Sequence, residues 1–129
     1  MSDWLGLTGR TAVITGAGGG IGKAIALELA ANGVNCNVLD RASELVTSTV
    51  AQIQETGGQA TGHVCDVTDE AAITKTASAI KSCDILINAA GLVRPGALAD
   101  LKTTEWEDLL KVNLTGYFLL ARTFTPHLI

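Results

Sequence analysis

The chain has 129 residues, a formal net charge of −4 and a composition that is 47% hydrophobic but only 17% charged. A length near that of one domain buries on the order of two-thirds of the unfolded surface, and so apolar a composition suits a parallel sheet covered on both faces. The negative charge, the scattering of Lys23, Lys75, Lys81, Lys102 and Lys111, and an aromatic content of 4% exclude a nucleic-acid surface. No run approaches the ~18 apolar residues of a membrane span, and Met1-Ser2-Asp3-Trp4 lacks the basic start of a signal peptide. The expectation is a soluble, cytoplasmic protein with neither a membrane nor a nucleic acid as partner.

In chain order, short apolar runs alternate with stretches of helical spacing: strand 11–15, helix 20–32, strand 34–39, helix 42–55, strand 59–65, helix 68–81, strand 84–88 and helix 104–125. Strand followed by helix, repeated along the chain, predicts an α/β protein. Gly33 stops the first helix and Gly57-Gly58 the second, while Thr68, after Asp66, starts the third with Asp69 and Glu70 in its first turn. Residues 91–100, with Arg94-Pro95-Gly96, form the longest irregular stretch and follow the fourth strand, on the edge where such sheets take ligands. There is no linker or repeat, so residues 1–129 read as one unit. Cys36, Cys65 and Cys83 are odd in number and lack C-x-x-C spacing, which indicates neither a disulfide framework nor zinc. Cys36 and Cys65 fall in strands as small buried residues. His63 and His127 stand alone, and no metal is expected.

The chemistry is concentrated at Thr15 to Gly22, TGAGGGIG, directly after the apolar run Thr11-Ala12-Val13-Ile14. Gly16, Gly20 and Gly22 stand where a tight turn, a close approach of backbone to phosphate and helix-on-strand packing each disfavour a Cβ. The helix that starts near Gly20 directs unpaired N–H groups and its positive dipole end into the turn, a seat for a pyrophosphate. The general dinucleotide fingerprint, glycines at i, i+2 and i+5, fails here, because Ile21 or Lys23 falls in the third place. The phosphate loop of NTPases also fails, because Ala17 replaces its first glycine and Ala24 lacks the hydroxyl that holds magnesium.

Asp40 ends the second strand 18 residues after Gly22, close to the ~20-residue offset at which an acid meets the adenosine ribose. A 2′-phosphate beside it would meet a like charge at about 4–5 Å, a cost of roughly 3–4 kcal/mol at an effective dielectric near 20, or two to three decades of affinity. That favours NAD over NADP. Arg41 is the competing signal, since a guanidinium there is able to hold a phosphate; Asp40 decides because it occupies the strand tip itself. An ordinary capping role before Ala42 and Ser43 is compatible with this.

The spacing that does hold, Thr15-Gly16 with Gly20 and Gly22 at i+4 and i+6, is the Thr-Gly-x3-Gly-x-Gly pattern of the short-chain dehydrogenase/reductase family, which the chain resembles. Asp66-Val67 is similar to the family's Asp-Val pair, whose acid bonds the adenine amino group. Asn88-Ala89-Ala90-Gly91 resembles its Asn-Asn-Ala-Gly element, with Ala89 in place of the second asparagine. Asn113, in Val112-Asn113-Leu114-Thr115-Gly116, is similar to the asparagine of the catalytic tetrad, which in the family kinks its helix and holds a proton-relay water. The resemblance implies a Rossmann-type three-layer sandwich with a parallel sheet in the order 3-2-1-4, NAD as cofactor, and an alcohol/ketone pair as substrate. It further implies a homo-oligomer, a dimer or tetramer built partly on the Asn113 helix. On this reading Gly16, Gly18, Gly20, Ile21 and Gly22 take the pyrophosphate, Asp40 and Arg41 flank the ribose, and Asp66 and Val67 meet the adenine. Asn88, Ala89 and Gly91 then line the wall.

The family's Tyr-x3-Lys pair does not occur, for Tyr117 is followed four places later by Ala121. The resemblance therefore covers the first half of the family's domain, truncated before a fifth strand. Residues 1–129 are expected to supply the cofactor half of a longer oxidoreductase and to lack turnover alone. A non-catalytic nucleotide-binding or oligomer-forming module is the other reading. An uncovered fourth strand, Ile85-Leu86-Ile87, is a bare apolar edge. Residues 1–129 expressed alone are therefore expected to self-associate in sedimentation experiments, and a folded monomer at high concentration would contradict this.

Overall fold

Alternate residues of β1 (Thr11–Thr15) are buried against opposite layers, which is what an apolar run without polar alternation requires. In the computed structural model, which describes residues 3–129, Ala12 and Ile14 pack on one side with Ala26 and Ala30 of α1 (Gly20–Ala31) and Val46 and Ile53 of α2 (Ser43–Glu55). Val13 packs on the other side with Ile73 of α3 (Glu70–Ala79) and Leu119, Leu120 and Phe124 of α5 (Gly116–Leu128). Met1 and Ser2, part of the start scanned for a signal peptide, lie outside the described residues.

The sheet is parallel throughout and ordered β3-β2-β1-β4, with β2 at Asn35–Asp40, β3 at Ala60–Val64 and β4 at Ile85–Asn88. This is the expected three-layer Rossmann-type arrangement. Thr15 is level with Leu39 on one side and Asn88 on the other, so the glycine turn, Asp40 and the loop after β4 all leave the sheet at one edge. Among the described residues no strand pairs with the outer edge of β4.

Most element ends fall within a residue or two of the expected ones, and three differences matter for the site. The third helix starts at Glu70 rather than Thr68, because Asp66 Oδ1 accepts both the amide and the hydroxyl of Thr68, leaving Asp69 to cap the helix by accepting from the Ala72 amide at 3.2 Å. β3 ends at Val64, so Cys65 lies just past the strand instead of within it. The single helix expected over 104–125 is α4 (Thr103–Leu110), a π turn at Lys111–Thr115 and α5, which continues through Pro126 to Leu128. A periodic pattern does not register the one extra residue of a π turn.

All three cysteines are buried and free, and burial pushes the Cys36 thiol up to about 11. His63 is not alone: its Nε2 lies 3.0 Å from Asn37 Oδ1, while Asn37 Nδ2 donates to the Ala12 carbonyl at 3.3 Å. Burial lowers the His63 pKa below its ordinary value. The unfolded chain therefore binds this proton first as the pH falls below about 6.5, and folding stability carried by neutral His63 is present above that pH and lost below it. The urea midpoint is expected to drop between pH 7.5 and 5.5, and to drop less in His63→Gln; equal slopes would show that His63 does not titrate with folding.

Candidate cofactor site

The glycine turn is packed by main chain. Gly16 has φ +62°, and a Cβ there would stand 2.7 Å from Ala90 Cα, while a Cβ on Gly22 would overlap the Gly16 carbonyl oxygen. Gly18, which the i, i+4, i+6 spacing passes over, is as constrained: its Cβ would lie 2.8 Å from Asp40 Oδ2 and 2.6 Å from Leu45 Cβ. Gly19 and Gly20 differ, for a Cβ on either would meet nothing within 4 Å. The main-chain start of α1 is therefore open just where its amides lack helical partners. Ile21, in the same turn, is 76% exposed.

Thr15 joins this turn to the loop after β4. Its buried hydroxyl donates toward the Ile87 carbonyl at 3.5 Å and accepts from the Ala89 and Ala90 amides at 3.1 and 3.2 Å. One donor and both lone pairs are used. The Ala89 and Ala90 amides are thus held from β1.

Asp40 is held twice at the tip of β2: Oδ2 accepts from the Gly18 amide and Oδ1 from the Ala42 amide, each at 3.0 Å. The capping reading is not realised, for Ala42 is the N-cap of α2 and no side chain caps that helix; Asp40 bonds the Ala42 amide just ahead of it. A carboxylate offers about four lone-pair sites, so two acceptor positions remain for a pair of vicinal hydroxyls. Asp66 is similar, with Oδ1 occupied by Thr68 and Oδ2 open. The Thr68 amide and hydroxyl hold its carboxyl below the usual carboxylate range against the opposing effect of burial, and the positive charges of Arg41 and Lys111 act in the same direction as Thr68.

Between these acids lies a cleft of about 120 Å³ lined by Gly16, Asp40, Arg41, Cys65, Asp66 and Val67 on one side and by Ala90, Gly91, Leu92 and Val112 on the other. Gly18, Gly20, Ile21 and Gly22 form the adjoining turn, while Asn88 and Ala89 are not among the residues that line the cleft. Asn88 Oδ1 is buried, and no hydrogen-bond partner reaches it among the described residues. Cys65 and Val112 join the cleft without being singled out in the sequence, since small and apolar residues look alike wherever they are buried, while Ala90 enters it as part of the Asn88–Gly91 element. Asn113 sits in the π turn and grips the wall: Oδ1 accepts from the Leu92 amide at 3.0 Å and Nδ2 donates to the Leu92 carbonyl at 2.8 Å.

This geometry can hold an anion at the open amides, a diol at Asp40 and a flat apolar ring with a donor edge between Val67 and Asp66. A dinucleotide fits the residues present. Among the described residues no cluster of His, Cys, Asp or Glu could bind a metal ion, and no helix is long and apolar enough to cross a membrane.

Comparison with known proteins agrees. The family model for short chain dehydrogenases matches residues 10–129, and the chain belongs to that family. It is 36% identical over 127 residues to the 2,3-dihydro-2,3-dihydroxybenzoate dehydrogenase of Bacillus subtilis (strain 168), covering 95% of this chain and 49% of that protein. A solved 7α-hydroxysteroid dehydrogenase complexed with NADH and 7-oxo glycochenodeoxycholic acid superposes with a TM-score of 0.91 at 34% identity, over 98% of this chain and 51% of the other. A metagenomic short-chain oxidoreductase in complex with NADP gives 0.88 at 37% identity, over 98% and 58%. The chain thus spans about half the length of the curated relatives it matches.

The Asn113 clamp yields a direct test. Asn113→Ala removes both bonds to Leu92 and is expected to cost about 1–2 kcal/mol, with faster hydrogen exchange at the Leu92 amide. Unchanged exchange there would show that the wall holds without Asn113.

Proposed function

We propose that residues 1–129 form the N-terminal, cofactor-binding portion of an NAD-dependent oxidoreductase that interconverts an alcohol and a carbonyl compound. The observation that carries this reading is Asp40, fixed by two backbone amides beside the open start of α1 and still holding two acceptor positions. The bound nicotinamide would supply the hydride acceptor or donor; the residues here bind and orient. Gly16, Gly18, Gly20, Ile21 and Gly22 seat the diphosphate against the amides of α1, where the helix dipole favours negative charge. Asp40 accepts from the ribose hydroxyls, with Arg41 alongside. Asp66, through its open oxygen, accepts from the adenine amino group, and Val67 packs on the ring. Gly91 lines the wall, with Asn88 and Ala89 preceding it in the chain.

Asn113 is assigned to the proton relay of the reaction on the family's pattern, and its side-chain clamp on Leu92 supports that place by tying the π turn to the cleft wall. Trp106, Leu110, Leu114 and Phe118 recur every fourth residue along α4, the π turn and α5, and they are 52%, 37%, 64% and 55% exposed. Such a row supports self-association of the protein into a dimer or tetramer.

NAD is favoured over NADP because Asp40 would face a 2′-phosphate. NADH is therefore expected to bind about 100-fold more tightly than NADPH, and Asp40→Ser to shrink that ratio below about tenfold by weakening NADH and relieving the repulsion of NADPH. Fluorescence titration with both cofactors checks this, and equal affinities in the unaltered protein would refute the assignment of NAD.

A further inference from the structure

One buried hydroxyl of α2 has no place in the glycine motif or in the cleft. Thr49 is wholly buried, and its Oγ1 donates to the Ala17 carbonyl at 3.0 Å across 32 residues of sequence. Hydroxyls within helices ordinarily bond back to their own helix four residues earlier. Thr47 does so to Ser43, Thr74 to Glu70 and Ser78 to Thr74. Thr49 reaches out of its helix instead.

Its target is one end of a rigid plane. The carbonyl of Ala17 and the amide of Gly18 belong to the same planar peptide, and that amide donates to Asp40 Oδ2 at 3.0 Å. Thr49 and Asp40 thus grip opposite ends of the Ala17–Gly18 peptide. The plane before it is tied as well, since the Ala17 amide donates to the Leu39 carbonyl at 3.0 Å. Among the described residues no other donor reaches the Ala17 carbonyl, and Ala17 is fully buried. An unsatisfied buried carbonyl is costly, so without the hydroxyl this peptide gains by rotating. Rotation would withdraw the Gly18 amide from Asp40 and turn the Ala17 carbonyl toward that carboxylate, displacing it from the mouth of the glycine turn.

We propose that Thr49 is a positioning residue for the cofactor, fixing with Asp40 the orientation of the Ala17–Gly18 peptide and hence the direction in which the glycine turn presents its amides. The inference rests on the cofactor reading above and adds to it a residue from outside the motif.

The test is NADH titration by fluorescence, with thermal melting in the same buffer, on the protein and its Thr49→Val, Thr49→Ser and Ile53→Val variants. Thr49→Val keeps the shape and removes the donor, and is expected to weaken NADH binding about tenfold. Thr49→Ser restores the hydroxyl and is expected to bind within about twofold of the unaltered protein. Ile53 is buried in the same helix and its apolar side chain offers the turn no hydrogen bond, so Ile53→Val should melt lower while binding NADH normally. If Thr49→Val does not fold, Thr49→Cys, whose thiol is a weak donor, should weaken binding by about threefold. Normal binding by Thr49→Val or Thr49→Cys, or an equal loss in Ile53→Val, overturns the role of Thr49 and leaves the cofactor reading standing. Failure of the unaltered protein to bind NADH overturns that reading, and the role with it.

Discussion

The site depends on main chain touching main chain. The Gly16 carbonyl occupies the space where a side chain on Gly22 would begin, and the loop after β4 fills the space beside Gly16. Only with both positions bare can β1, the start of α1 and the loop after β4 converge on one point. The convergence sets the open start of α1 beside Asp40, at the tip of β2, and beside the cleft that Asp66 also lines. Thr15 then locks the arrangement with a hydroxyl that bonds three backbone groups, worth on the order of 1 kcal/mol each in net stability but decisive for geometry.

The charges of the cleft follow from that convergence. Asp40 and Asp66 both end in turns, and each spends part of its bonding capacity on backbone amides close in sequence or space. A carboxylate so tied keeps one orientation, which lowers the entropic cost of accepting further hydrogen bonds from a ligand. Arg41 and Lys111 offset the negative charge at Asp66. Together with the larger effect of the Thr68 amide and hydroxyl, this keeps Asp66 ionised in a partly enclosed cleft.

The long helix serves two surfaces at once. At its π turn, Asn113 holds Leu92 and Gly116 packs so close to Val67 that an added Cβ would stand 3.1 Å from Val67 Cγ2. Along the same stretch runs the exposed row that includes Leu114 and Phe118. A regular α-helix advances its side chains by a fixed angle, and the extra residue of the π turn shifts that phase. Arg122 anchors the far side by pairing with Glu70 of α3 and stacking 4.9 Å over the Phe118 ring.

Periodicity and punctuation were enough to read the alternation of strands and helices, because β1 is apolar on both faces, α1 and α2 stop just before Gly33 and Gly57, and α3 begins beside Asp69. The glycine turn and Asp40 were legible as candidates from residue type and spacing along a single connection, and Asp66 and Gly91 from the resemblance to the family. What the sequence by itself determined is therefore the order of elements and the residues at the ends of strands, both set by local physics. The tertiary structure alone decided which residues stand opposite one another. Cys65 and Val112 enter the cleft, His63 finds Asn37, Asn113 finds Leu92 and Thr49 finds Ala17 only when distant segments are packed together, and a buried threonine or valine carries no local mark of what it will touch.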